Sequence, residues 1–464
     1  MNWFRKVFGR ERAEDQFESL PAFQTLPAFQ ALTSLPPLSP NVPQSVLQAL
    51  SQRKPTSATT LPKFLNPCNE FGGFEAEGAG GARNRVRDAF SPSLPITNPR
   101  LLAGRGEALQ TLIRAIEDLR LHIIIYGERG IGKTSLLQIL KQLAEEAKYQ
   151  VVYHSCGEDA RFPEMFRAIA GEIPLLYYHG FNAASEDMRR GGSLGSLLPA
   201  GDFNVSQLSD TFAQLSNTRV LIMLDEFDRS PPGQFRRNIA QLIKNLSDRS
   251  VRVQLVISGV AGNLAELIEH IPSIRRNILG YRVPELQAGE VRQMVTIGEE
   301  ISGLIFDPDA SERIIAMANG SPYLASLLSQ YSSFGALNRE GQIVTPIDVQ
   351  HAVEQVSDEL RSRLSEPALE AADHAIDDGL GETLHALANR SMHAMGALDA
   401  EKIDESFSGR SFAEVAEELV TGYKLLVPAP EERADRFRFR EEGVGSYLWL
   451  RLSPRPVSYE EEAA

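Results

Sequence analysis

The chain has 464 residues, enough for two or three domains that each bury a core of their own. Its formal net charge of −14 disfavours broad, non-specific adhesion to nucleic acid, and an apolar content of 42% fits a globular protein. Cys68 and Cys156 stand far apart without metal-ligand spacing, no apolar run reaches the length of a membrane span, and the N-terminus lacks a signal peptide's long apolar region, so a reduced, cytoplasmic compartment is expected.

Residues 1–100 read as a mostly disordered N-terminal tail. Met1 to Arg12 puts Trp3, Phe4, Val7 and Phe8 on one helical face and Arg5, Lys6, Arg10 and Arg12 largely on the other, the pattern of a short interfacial helix. Peripheral contact with the inner face of a membrane is one reading; a helix packed on its own protein is the other. The sequence LPAFQ then occurs twice, at Leu20 to Gln24 and Leu26 to Gln30, ahead of a Pro/Ser-rich stretch through Pro62 whose prolines remove backbone donors and favour extended chain. The doubled element is either a docking peptide for a protein partner or a duplication within a linker. A Gly-rich patch, Phe71 to Arg83, closes the region.

Residues 101–284 read as a phosphate-loop domain. Leu102 to Leu112 places Gly104, Arg105, Gly106 and Glu107 just ahead of an amphipathic helix. His122 to Tyr126 is a buried strand that feeds GERGIGKTS, where Gly127, Gly132, Lys133 and Thr134 satisfy G-x-x-x-x-G-K-[ST] in full. Glycines let the backbone fold so that successive N–H groups point at a polyphosphate, and the helix starting at Lys133 adds its positive dipole end. The candidate nucleotide-binding residues are therefore Gly127, Glu128, Arg129, Gly130, Ile131, Gly132, Lys133, Thr134 and Ser135. Lys133 supplies a point charge for the β- and γ-phosphates, and the Thr134 hydroxyl is the expected ligand of Mg²⁺. A glycine turn followed by a surface lysine is the bland alternative. The helix runs on to Ala147, Gln150 to His154 is a second buried strand, and Cys156 just past it reads as packing or loop. Strands alternating with helices imply a parallel sheet with helices on both faces. Gly191 to Gly201 reads as a flexible insertion.

Val220 to Arg229, VLIMLDEFDR, is a central strand whose carboxyl end delivers Asp225 and Glu226, where ligands bind in open α/β sheets. Asp225 is the second expected Mg²⁺ residue, and Glu226, one position farther, is placed to orient and deprotonate an attacking water; a strand that simply stops at solvent is the bland alternative. Asp228 and Arg229 either contact a partner or pair with each other. Val251 to Ser258 is a further buried strand; Ser258 either senses the γ-phosphate or is a turn serine before Gly259. Arg275 and Arg276, in PSIRRN at the domain's edge, either stabilise transition-state charge in the same or a neighbouring subunit or are a solvated pair.

Residues 285–356 read as a helical lid, with Ala288 to Ile301, Pro308 to Met317 and Pro322 to Tyr331 as its clearest helices. Residues 357–455 carry further helices, then Gly422 to Leu426 and RFRFR at Arg436 to Arg440, whose strict alternation suits a hairpin with one buried side. Helices followed by a hairpin suggest a winged-helix-like domain, and 456–464 is an acidic tail. The candidate recognition helix, Ser411 to Thr421, carries Glu414, Glu417 and Glu418 at helical spacing, a face that repels phosphates. Protein contact is thus favoured over DNA for this domain, although the hairpin arginines leave DNA open as the alternative.

GERGIGKTS, LIMLDEFDR, VQLVIS, SIRRN and Gly320-Ser321-Pro322 together resemble the AAA+ ATPases, especially the branch shared by STAND signalling ATPases and origin-recognition ATPases. The resemblance covers roughly Leu101 to Leu452. It implies ATP with Mg²⁺, with the segment around Gly104 to Glu107 near the adenine; no guanine-reading N/TKxD motif is present. Family members with a lid arginine carry it just after a Gly-x-x motif, whereas Tyr323 follows here, which favours a STAND-like switch over a remodelling machine. The functional expectation is an ATP-binding, slowly hydrolysing regulatory switch acting through protein partners, with an ATP-dependent homo-oligomer open. A DNA-associated initiator- or loader-like ATPase, or a membrane-recruited scaffold with little turnover, are the alternatives.

Overall fold

The computed structural model describes residues 79–179, 192–267, 272–393, 397–399, 403, 407, 409–429 and 436–454. The expectations for residues 1–12, for the LPAFQ pair and for the acidic tail lie outside the described residues. All of those described belong to one compact unit, Asn69–Ala464.

The first described element corrects the tail reading. Ala79–Ala89 is a helix, α1, and Val86 and Phe90 at its end are fully buried. A Cβ built on Gly298 would lie 2.0 Å from Phe90 Cζ, so only glycine at that position lets the ring seat against the helix carrying it. Three arginines and two glycines in α1 mask the apolar side chains that fasten it.

The next elements are α2 (Gly106–Glu117), β1 (His122–Gly127), α3 (Lys133–Glu146), β2 (Gln150–Ser155), α4 (Phe162–Gly171), α5 (Val205–Ala213), β3 (Val220–Asp225), α6 (Gln234–Asp248), β4 (Val253–Val260) and β5 (Ile278–Arg282). The five strands form one parallel sheet in the order β2-β3-β4-β1-β5. Every residue of β3 is buried, as a central parallel strand covered on both faces requires. Strand alternation sorts its side chains: Leu221 and Met223 join Ile123, Ile125 and Val256 under α2 and α3, while Ile222 and Leu224 join Ile257 under α4, α5 and α6. β5 escapes sequence reading because it is an edge strand with only partial burial.

Beyond the sheet come α7 (Ala288–Ser302), β6 (Ile305–Phe306), α8 (Pro308–Ala318), α9 (Pro322–Asn338), β7 (Ile343–Val344), α10 (Pro346–Ser362), α11 (Glu366–Ala375), α12 (Gly381–His393), β8 (Ala397–Asp399), α13 (Phe412–Thr421), β9 (Leu426–Pro428), β10 (Arg436–Phe439) and α14 (Val444–Leu452). Capping boxes begin α10, through Thr345 and Asp348, and α13, through Ser411 and Glu414; each satisfies two of the helix's orphan N–H groups. The alternating RFRFR stretch forms β10, the centre of an antiparallel three-stranded sheet ordered β8-β10-β9, with Phe439 buried and Phe437 edge-on to Phe412. One continuous core runs from Val86 and Phe90 through α7 to α10 and on to Leu448 in α14, so the expected lid and the following helices share a hydrophobic interior.

Candidate nucleotide-binding site

β1 ends at Gly127 and the chain turns through Gly130 (φ 75°) and Gly132 (φ 94°) into α3. Both angles lie in the region that a Cβ disfavours, which explains the two glycines. Lys133, 8% exposed, donates from Nζ to the carbonyls of Gly127 at 2.9 Å and Glu128 at 2.6 Å. Burial lowers its ammonium to about 8, against the opposing pull of Asp228, Asp225 and Glu128. The loop is braced from outside. The buried Arg105 donates from Nη2 to the Ile131 carbonyl at 3.1 Å, and Ser135 Oγ accepts the Ile96 N–H at 3.0 Å. Ser135, a candidate phosphate contact by sequence, thus ties the segment before α2 to the loop helix.

Asp225, 3% exposed, ends β3. Its Oδ1 accepts the Glu226 N–H at 2.9 Å and its Oδ2 accepts the Tyr153 hydroxyl at 2.8 Å. Glu226 follows in the left-handed region (φ 51°, ψ 37°), an uncommon conformation for a side chain of this size and one that turns its carboxylate away from the strand's own alternation. Its Oε2 accepts from Ser155 Oγ at 3.0 Å and pairs with Arg229 at 3.2 Å. Asp228 Oδ1 accepts the Val260 N–H at 2.8 Å, fastening the acidic turn to the end of β4. Arg229 and Asp228 therefore do not pair with each other in the way the sequence left open.

Ser258 lies opposite Ile125 of β1, inside β4 and not in a turn, because the strand continues through Gly259 and Val260. It is fully buried, and its Oγ has no hydrogen-bond partner among the described residues. Asp225 shares strand parity with Met223, and Ser258 with Val256, so both face the layer of α3. An orphaned buried hydroxyl beside a buried carboxylate and an ammonium forms a polar pocket lining at the carboxyl edge of the sheet.

The donor set fits Mg²⁺ carried by a polyphosphate. Thr134 and Asp225 offer hard oxygens, and no cationic side chain pairs with Asp225 among the described residues. No group of three or more His, Cys, Asp or Glu side chains that could hold a metal alone occurs there either, so the phosphates would have to complete the shell.

Arg276 is elsewhere. It precedes β5, whose first residue pairs with His122 at the start of β1, so it sits at the amino edge of the sheet, opposite the loop. It is 79% exposed and lies 3.9 Å from Asp248. This geometry rules out the same-subunit role for Arg276. The sequence also missed contacts that reach the loop from the later helices. Arg129 pairs with Glu442 at 3.2 Å, and a Cβ on Gly130 would meet Tyr323 Cβ at 3.1 Å. Tyr323 in turn accepts from Arg363 at 2.8 Å. Asn319, just before Gly320, donates to Asn389 at 2.8 Å and bonds His393 at 2.8 Å, while Trp449 donates to the Met317 carbonyl at 2.9 Å. Cys156 is packing, 2% exposed, its thiol pushed up to about 12 by burial.

Residues 101–257 match the family model of the AAA ATPase domain. No curated protein matches the chain. Among solved structures it is similar to the Walker-type ATPase of Pyrococcus abyssi (14% identity, 77% of this chain and 98% of that one, TM-score 0.45). It is similar also to the R170A form of RuvB from Thermotoga maritima (15%, 74% and 96%, 0.43) and to the Aeropyrum pernix ORC1 protein in complex with DNA (18%, 80% and 96%, 0.42).

Proposed function

We propose, from the premise that residues 101–257 are a P-loop AAA ATPase domain, that the chain is an ATP-binding, slowly ATP-hydrolysing switch that acts through protein partners. The observation that carries the reading is the convergence of Lys133, Asp225, Glu226 and Ser258 on one edge of the sheet, with two left-handed glycines turning the loop between them. Loop N–H groups and Lys133 hold the phosphates. Thr134 and Asp225 hold Mg²⁺, which when bound neutralises phosphate charge. Glu226 takes the proton of the attacking water, and Ser258 offers its spare hydroxyl to the γ-phosphate or to that water.

The switch part of the reading draws on the contacts of Tyr323, Asn319, Trp449 and Glu442, which link the loop to the turn before α14, and the helices after Pro284 to α12 and α14. In this proposal 101–284 is the ATPase domain, 285–356 a lid and 357–455 a winged-helix-like domain. A phosphate that displaces Lys133 from the loop carbonyls changes what the loop presents to Tyr323 and Glu442. Protein is preferred to DNA as partner because Glu414, Glu417 and Glu418 lie on α13, and Arg436 is engaged by Asp399. Arg276, being exposed at the opposite edge, is assigned to a neighbouring subunit of an ATP-dependent homo-oligomer.

Equilibrium binding of a fluorescent ATP analogue to wild type and Lys133→Ala tests the core of this reading. Loss of two charge-assisted hydrogen bonds to phosphate should weaken binding roughly 100-fold. Equal affinities in two proteins with the same circular dichroism spectrum would remove the phosphate-loop assignment.

A further inference from the structure

We infer that Tyr153 is a positioning residue for the metal side of the site: its hydroxyl fixes the carboxylate of Asp225, the expected metal ligand on β3. This rests on the ATP-binding reading above and extends it to a residue outside the loop and acidic-strand motifs.

The geometry is specific. Tyr153 lies on β2 opposite Met223, two residues before the Asp225 it reaches, and its hydroxyl donates to Asp225 Oδ2 at 2.8 Å. The Tyr153 ring packs against the apolar layer that Leu136, Leu137 and Leu140 of α3 help to form. α3 is the helix whose second residue is Thr134. The tyrosine therefore packs in the layer under the helix that carries one expected metal ligand and bonds the strand residue that is the other. Asp225 cannot swing toward solvent, because Oδ1 is engaged by the Glu226 N–H at 2.9 Å and Oδ2 by Tyr153. Each oxygen keeps a lone pair for a metal or a metal-bound water. Ser155, two residues on along β2, gives its hydroxyl to Glu226, so one strand serves both acids of the site through different side chains. The tyrosine ring packs at the margin of the core under α3, which lets phenylalanine replace it without loss of packing.

Outer hydrogen bonds to a metal ligand change metal affinity by roughly 10-fold or more when removed. The experiment is a Mg²⁺ titration of fluorescent ATP analogue binding, read as bound fraction and not as turnover, for wild type, Tyr153→Phe, Asp225→Asn and the double variant. Tyr153→Phe should leave analogue affinity in excess EDTA unchanged and raise the Mg²⁺ midpoint roughly 10-fold. In the Asp225→Asn background it should add nothing, because the phenol acts only through that carboxylate. An unchanged midpoint, or a shift that adds in full to that of Asp225→Asn, overturns the assignment and leaves tyrosine as packing. Wild type that binds the analogue with no Mg²⁺ dependence overturns the metal reading itself, and the inference with it; that outcome is visible in wild type alone and so is distinct from failure of the Tyr153 assignment.

Discussion

Acid should loosen the joint between β1 and β4 through His122. The imidazole is 2% exposed, its Nδ1 accepts the Leu255 N–H at 2.9 Å, and its Nε2 lies 3.2 Å from Ser247 Oγ. The backbone bond fixes the neutral tautomer with the proton on Nε2, and a second proton would face the Leu255 N–H head on. Burial accordingly lowers the ring from the usual 6.5 to about 4. The folded state thus binds a proton less readily than the unfolded chain. Stability from this group is full above 6.5 and is lost as pH falls toward 4. Taking those two values, the loss between pH 7 and pH 5 is about 2 kcal/mol. Urea unfolding at pH 7, 6 and 5 measures it, with His122→Gln as reference: the amide can accept and donate but does not titrate. The wild-type midpoint should fall across this range by more than the variant's. If the two proteins lose stability in parallel, His122 does not carry the acid sensitivity and the assigned tautomer is wrong.

Glu226→Gln should retain ATP and Mg²⁺ yet lose hydrolysis, since the amide keeps the shape and cannot take the water's proton; phosphate release at the wild-type rate would identify another base. Ser155→Ala frees Glu226 Oε2 from a 3.0 Å bond and should alter turnover while leaving ATP affinity within about twofold, a split that steady-state and binding measurements separate. Turnover per protomer should rise with protein concentration, and Arg276→Ala should bind ATP normally but stay slow at every concentration, with Arg275→Ala as control. A flat concentration series unaffected by either substitution would remove the inter-subunit role from both arginines. Gly298→Ala pushes a methyl into Phe90 and should cost about 1–3 kcal/mol, seen as a lower thermal midpoint; an unchanged midpoint would mean that α1 is not fastened there.

Much of the phosphate-loop half was legible because its chemistry is local. Lys133, Thr134 and the glycines must be adjacent to form one loop, and the buried run of β3 announces where Asp225 emerges. What the sequence concealed is contact between segments. Tyr153 and Ser155 look like ordinary strand residues until β2 is laid beside β3. Ser135 reads as part of the loop motif, yet its hydroxyl is spent on Ile96. Residues 79–90 look like tail because Val86, Ala89 and Phe90 are scattered among arginines and glycines, and the partner of Phe90 is a glycine over two hundred positions away. Arg276 could be assigned an edge of the sheet only once β5, too short and too exposed to declare itself, was in place.

The strand order also carries a history. β1 pairs with neither of the elements made just before or after it; its neighbours are β4 and β5. His122 and Leu255, bonded across the β1–β4 joint, are 133 residues apart in the chain. Closing so long a loop costs entropy before any pairing rewards it. At roughly 5–20 residues per second, a ribosome delivers the glycine loop on the order of ten seconds before the strand that will hold it. For that interval the nascent protein owns the sequence of a phosphate loop without owning a place to put a phosphate, and a chain cut short before Val253 would stay in that condition.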